Sequence, residues 1–264
     1  MLPVCEMFVS IQGEGKYAGV PSFFVRVTGC NLRCSFKNSI CDTAYTSYEA
    51  EKPLYNDLES LIIAFKELQE KNQKVKHLVI TGGEPLLYKD DLEKFLTKVQ
   101  GDLVVTIETN GTLPMLNPLG KDFRVDLYSV SPKLSTSCGD GGGRLTKDQQ
   151  EHHDKTRLNY RNLFNIVTRA RDYQFKFVYS GPECIDEIYD IYRKMSSMIP
   201  EYDDNGIKFW LDHHPMKHTW LMPEGQTRDQ LEIIRKECAD KCVEHGWNYS
   251  ERIHVVIWGD KRGV

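Results

Sequence analysis

Two kinds of apolar spacing alternate along this chain. Runs rich in β-branched and aromatic side chains predict strands over residues 22–28, 75–81, 103–109, 125–131, 174–180, 207–212 and 252–258. Between them, apolar residues recur every three or four positions. Leu58, Leu61, Ile62, Phe65 and Leu68 mark one face of a helix over 57–72, with Asn56 or Asp57 as its N-cap, and Leu92, Phe95, Leu96 and Val99 mark another over 90–99. Residues 147–162, 184–198 and 228–245 also read as helical. Residues 133–146 follow neither period. Three consecutive glycines, Gly141 to Gly143, make this stretch a surface loop; no GK[ST] closes it, so it is not a phosphate loop. Strands separated by helices predict a parallel sheet with helical crossovers, and six or seven such units suit a barrel, closed or partly open. In that architecture chemistry sits at the C-terminal ends of strands. The notable motifs do follow strands: CNLRC, GGEP, ETNG and SPK.

Composition narrows the function. The 264 residues are long enough to bury a sizeable core, and 40% are hydrophobic. A formal net charge of −4 argues against a dedicated nucleic-acid binder. No apolar run approaches the length of a membrane span, and the first residues lack a basic segment followed by an apolar one. A cytoplasmic protein with no membrane partner is expected. The chain holds eight cysteines, and in a reducing compartment a cysteine cluster points to a metal or catalytic site rather than a disulfide framework.

Cys30, Cys34 and Cys41 form such a cluster, spaced C-x3-C-x6-C. Thiolates bind soft metals. A structural zinc site wants four ligands, and the nearest fourth candidates are Cys5 or a distant His. An iron–sulfur cubane held by three cysteines keeps one iron open for something that reacts. Buried thiols without metal are the third reading. Cys5, Cys138, Cys184, Cys238 and Cys242 read as ordinary, the last two as packing on one helix face.

The three cysteines together with TGGEP at residues 81–85 resemble the radical S-adenosylmethionine superfamily. More narrowly, IQGEG (11–15), GVPSFFVRVTGCNLRC (19–34), CDT (41–43), ETNGT (108–112), VSPK (130–133), FKFV (175–178), LMPEG (221–225) and the final WGDKRGV resemble the 7-carboxy-7-deazaguanine synthase family. The resemblance spans nearly the whole chain. It implies an α/β fold, a modified, partial (β/α)6-type TIM barrel of the radical SAM class. It also implies a single core domain over 1–264, with an N-terminal substrate-binding segment (about 1–20) and insertions near 35–40 and 134–160. The reaction implied is conversion of 6-carboxy-5,6,7,8-tetrahydropterin to 7-carboxy-7-deazaguanine with loss of ammonia. The cofactors implied are a 4Fe–4S cluster, S-adenosylmethionine and magnesium, and the partners are an external electron donor such as flavodoxin and a second copy of the chain as a homodimer.

The resemblance also assigns residues. Cys30, Cys34 and Cys41 would hold the cluster, and Thr43 the magnesium, a hydroxyl being a hard ligand. Ile40, Asp42, Gly82, Gly83, Glu84, Ser131, Pro132, Lys133, Met222, Pro223 and Glu224 would contact S-adenosylmethionine. Ile11, Gln12, Gly13, Glu14, Arg26 and Thr81 would form the substrate shell, with the Val264 carboxylate reaching the substrate's amino group. Gln and Glu can pair with a pterin edge, and Arg can fork onto a carboxylate. One departure stands out. The family spacing is C-x3-C-x2-C with an aromatic residue before the third cysteine; here the second gap is six and Ile40 stands there, which makes Phe36 an alternative wall. A glycyl-radical activase shares the cysteines and GGEP, but QGEG and VSPK count against it. A zinc-stabilised binding protein is the alternative of another class.

Overall fold

A computed structural model describes residues 1–37, 39–116, 121–199, 214–259 and 261–264. Its elements run β1 (Val4–Ile11), β2 (Pro21–Val27), α1 (Ala44–Ser47), α2 (Leu58–Lys71), β3 (His77–Gly82), α3 (Lys89–Val99), β4 (Val104–Thr109), β5 (Leu127–Val130), α4 (Lys147–Thr156), α5 (Tyr160–Arg169), β6 (Tyr173–Tyr179), α6 (Glu183–Ser196), β7 (Thr219–Pro223), α7 (Arg228–His245), β8 (Asn248–Tyr249) and α8 (Ile253–Trp258). The strands form one eight-stranded sheet in sequence order. β1 lies antiparallel on β2, and every later neighbour is parallel. This is the partial barrel of the expected α/β class.

Alternation along the strands divides the sheet into two faces. Phe23, Val25 and Val27 of β2, Leu78 and Ile80 of β3, Val105 and Ile107 of β4, and Phe175 and Phe177 of β6 belong to the buried core under the helices. Phe65 of α2 sits between Phe23 and Phe95, with both ring centroids at 5.4 Å and edge-on. Each such ring contributes about 1.5–3 kcal/mol by leaving water. The inner face carries the polar side chains: Arg26, Thr81, Glu108, Ser129 and Lys176 line a cavity, one from each of β2 to β6, with Phe24 and Val178 among them.

The QGEG segment joins the two sides of the open sheet. Among the described residues β1 and β8 do not pair with each other. Instead Gly15 N–H donates to Ser250 Oγ at 2.9 Å, and Lys16 N–H donates to Gln174 Oε1 at 2.8 Å. A Cβ on Gly13 would lie 2.0 Å from His254 Nδ1, and one on Gly15 2.2 Å from Gln174 Nε2, so both glycines let the backbone pass.

Several expectations are corrected. Residues 252–258 are not a strand; they hold helix α8, whose turns close through Val255 N–H and Val256 N–H on Arg252 O. A run this short, mostly β-branched and apolar, does not distinguish the two forms by period alone. Residues 147–162 are not one helix. Thr146 opens α4 with a capping box, and Asn159 caps a second helix, α5. β1, β7 and β8 lie outside the predicted strands. The strand expected over 207–212 lies outside the described residues. No helix is long and apolar enough, among the described residues, to cross a membrane.

Candidate active site

The turns that follow β2 and β3 interlock back to back. Gly83 N–H donates to Val27 O at 3.0 Å, and Glu84 N–H to Gly29 O at 2.9 Å. Gly82 has a φ of +127°, and a Cβ on Gly83 would lie 2.0 Å from Gly29 O and 3.1 Å from Cys30 Cβ. The GGEP turn therefore fits against the backbone that presents Cys30 only because it lacks side chains there.

Cys34 and Cys41 stand at the base of a small hairpin. Cys41 N–H donates to Cys34 O at 3.0 Å, Phe36 N–H donates to Ser39 O at 2.7 Å, and Ser35 bridges Ile40 in antiparallel fashion. The longer gap is thus an excursion that returns its two cysteines to adjacency. Cys30, Cys34 and Cys41 all line a cavity of about 450 Å³. Burial pushes the Cys30 thiol up to about 11 and raises Cys34 and Cys41 as well, while Lys133 acts against all three. These thiols keep their protons until a metal displaces them. Among the described residues, no three His, Cys, Asp or Glu side chains converge as ligands of a single ion. Three thiols lining one cavity are the donor type and number that a cubane with one open corner needs.

The same cavity is lined by a charged network. Gln12 Nε2 donates to Glu108 Oε1 at 3.2 Å, and Thr81 Oγ1 donates to Glu108 Oε2 at 2.6 Å. Glu14 accepts from Lys176 Nζ and, at 3.0 Å, from Arg252 Nε. Arg252 also donates to Asp42 and to the Gly225 carbonyl. Burial alone would raise Glu14, but Lys176 and Arg252 overcome it and hold the carboxyl well below the usual range. Asp42 is likewise held low by Arg252 against its burial. Burial lowers His254, which keeps that imidazole neutral near pH 7 beside Glu14.

Arg26 faces the same cavity. Its Nε donates to Glu6 Oε2 at 2.8 Å, and Tyr45 Oη and Arg262 Nε donate to the same Glu6 carboxylate. Phe8 and Phe24 stack beside it at 5.1 Å. Arg262 covers the Tyr45 ring at 3.5 Å and pairs with Glu51, so the tail, Val264 included, lies along the cavity.

The expected site residues mostly gather here. Ile11, Gly13, Ile40, Thr43, Gly82, Gly83, Ser131, Lys133, Met222, Pro223 and Glu224 all line the cavity, as does Phe36. Thr43 Oγ1 is 3.4 Å from Cys41 Sγ, and Lys133 Nζ donates to Ser131 Oγ at 2.8 Å. Glu84 and Pro132 do not line it. The Glu84 carboxylate is fully buried and accepts from Leu86 N, Thr109 Oγ1 and Asn110 N, tying the GGEP turn to the ETN turn. Sequence reasoning named no role for Glu108, Lys176, Arg252 or His254. For Glu108 and Lys176 the signal is present: each is the one charged residue of its strand. For Arg252 and His254 it is hidden by the β-branched residues around them, which suit a strand as well as the helix found there.

A largely parallel open barrel with a thiol trio after its first parallel strand defines a radical S-adenosylmethionine enzyme, and the Radical SAM superfamily model matches residues 24–195. The chain is 35% identical to a 7-carboxy-7-deazaguanine synthase of Halobacterium salinarum, over 98% of this chain and 91% of the relative. It is 46% identical to one of Hyperthermus butylicus, over 97% and 93%. QueE from Escherichia coli shares the fold with a TM-score of 0.54 and 23% identity, over 96% of this chain and 94% of that one. The chain belongs to the 7-carboxy-7-deazaguanine synthase family of the radical SAM superfamily.

Proposed function

We propose that this protein converts 6-carboxy-5,6,7,8-tetrahydropterin to 7-carboxy-7-deazaguanine with release of ammonia. The observation that carries the reading is that one cavity of about 450 Å³ is lined both by the three thiols and by a hydrogen-bonding acidic network. When bound, a 4Fe–4S cluster and S-adenosylmethionine supply an electron and a carbon radical that takes and returns one substrate hydrogen.

The chain's residues bind, orient and exclude water. Cys30, Cys34 and Cys41 would hold the cluster. Lys133 and Ser131 would supply a cation and a hydroxyl for the carboxylate of the methionyl group, with Met222 and Glu224 lining the same cavity. Glu108, Gln12 and Glu14 offer acceptors to the amide and amino edge of a pterin. Arg26 spends Nε on Glu6 and, among the described residues, makes no hydrogen bond through its two Nη groups, which suits a substrate carboxylate. Thr43 would give magnesium a hard oxygen, with waters and substrate oxygens completing the shell. The Val264 carboxylate suits the substrate's amino group. An external reductant such as flavodoxin, a homodimer and a cytoplasmic setting complete the proposal.

Anaerobic reconstitution with iron and sulfide, followed by assay with S-adenosylmethionine, magnesium, reductant and the carboxypterin, tests it. A brown protein that forms the deazaguanine product with no protein partner is expected. Loaded protein that leaves the pterin unchanged overturns the substrate assignment. A colourless protein holding zinc overturns the class of chemistry.

A further inference from the structure

The Cys34–Cys41 hairpin does not stand alone. A second segment, from the end of β5 through α4, is fastened to it from behind. Ser35 N–H donates to Ser137 O at 2.9 Å, Gly139 N–H donates to Ser35 O at 2.9 Å, and Gly141 N–H donates to Ser35 Oγ at 2.9 Å. Ser35 and Cys138 also form a parallel bridge. At the centre is His153 of α4, 1% exposed. Its Nδ1 accepts from Arg33 N–H at 3.2 Å, which leaves the proton on Nε2, and Nε2 lies 3.0 Å from Ser137 Oγ. The Ser137 hydroxyl is committed to Leu134 O at 2.7 Å, so its oxygen is the acceptor. The segment is fixed in turn to α6: Glu187 accepts from Ser135 N at 2.8 Å and from Arg157 Nη1 at 2.6 Å.

We propose that His153 is a positioning residue for the metal-binding loop, bracing the peptide between Cys30 and Cys34 and, through Ser137 and Ser35, the hairpin that returns Cys41. The longer loop and the 134–157 segment then form one device. A six-residue excursion frees the third cysteine from the second, and the histidine-centred brace restores a single geometry. Groups that orient a metal's ligands from behind typically govern its retention about 10- to 100-fold. Only the iron-retention part rests on the cluster assignment; the brace itself does not.

Two readouts separate these layers. The first is iron release to a ferrous chelator from anaerobically reconstituted protein. H153A and S137A are expected to release iron about tenfold faster than the wild type, with H153Q intermediate, because its amide retains a donor for Ser137. The second is iodoacetamide alkylation of Cys34 in iron-free protein, followed by mass spectrometry, which needs no metal. Faster alkylation in H153A and S137A, with partial rescue by H153Q, is expected. S137A removes one hydroxyl and keeps the Ser137 carbonyl that holds Ser35, so it carries the test if H153A does not fold. Wild-type rates of both alkylation and iron release in the variants overturn the proposal. Failure of the wild type to take up iron and sulfide overturns the cluster assignment alone, and alkylation then decides the brace.

Discussion

Arg252 donates its Nε to Glu14 across 3.0 Å, joining residues 238 positions apart. The same guanidinium holds Asp42 beside the third cysteine and the Gly225 carbonyl beyond β7. One buried cation thus ties the QGEG segment, the cysteine loop and the turn after β7.

Glu14→Gln is expected to be costly. It leaves Lys176 and Arg252 buried with one carboxylate fewer between them. Breaking a buried pair from one side typically costs about 3–5 kcal/mol. The midpoint of chemical denaturation should fall accordingly, and pterin binding should weaken. An unchanged midpoint would show the network to be solvated.

Stability should fall on acidification in two windows. Burial lowers His77 to about 4, with Ser22 Oγ at 2.7 Å on Nδ1 and Thr106 Oγ1 at 2.8 Å on Nε2. The unfolded chain takes a proton at about 6.5 that the folded one refuses, so stability is lost as pH drops from there toward 4. His153, also lowered to about 4 by burial, adds with the same sign. The depressed carboxyls Glu14 and Asp42 contribute a second loss at lower pH, beginning near the ordinary carboxylate range. Thermal midpoints measured against pH should show a shallower decline between pH 6.5 and 4 in His77→Gln; parallel curves would refute the assignment.

Gly83→Ala should disturb the site through the backbone. Its Cβ would meet the Gly29 carbonyl at 2.0 Å, and backbone cannot step aside as a flexible side chain can. Overpacking of this kind costs about 1–3 kcal/mol. Because Gly29 adjoins Cys30, the iron content after reconstitution should drop together with the thermal midpoint. Wild-type iron content would separate the turn from the thiol.

Arg262→Ala should leave stability nearly unchanged and alter substrate binding. The side chain is half-exposed, and exposed pairs contribute about 0–1 kcal/mol. It nevertheless holds the tail against Tyr45 and Glu6 at the cavity's edge. KM for the pterin should rise several-fold while the unfolding midpoint stays within a degree or two. An unchanged KM would show that the tail takes no part. A C-terminal extension that leaves KM and kcat untouched would dismiss the Val264 carboxylate.

Much of the parallel sheet was legible because its signals are local. The buried strands β2, β3 and β4 are short apolar runs ending in glycine- or asparagine-bearing turns, and α2 and α3 repeat at helical period. β1 was missed because Glu6, Met7, Phe8 and Val9 are only half-buried at an edge, which blunts alternation. β7 is hard to see because its run is only five residues long and ends in a proline, which favours a strand edge or a turn. α8 is not legible because Ile253 to Trp258 is apolar and mostly β-branched but for His254, and one polar position does not fix the period of so short a run.

The sequence by itself determined the class of fold, the thiol trio and the strand ends that carry the chemistry, since hydrophobic period, glycine freedom and ligand type act over a few residues. Only the tertiary structure decided that the Cys34–Cys41 gap is a braced hairpin, that QGEG spans the open sheet, and that Glu84 faces the ETN turn. It also brought Glu108, Lys176, Arg252 and His254 into one cavity. Each of these rests on partners far apart in the chain, and a buried charge takes the position where its counter-charge and hydrogen bonds are satisfied, which local spacing does not encode.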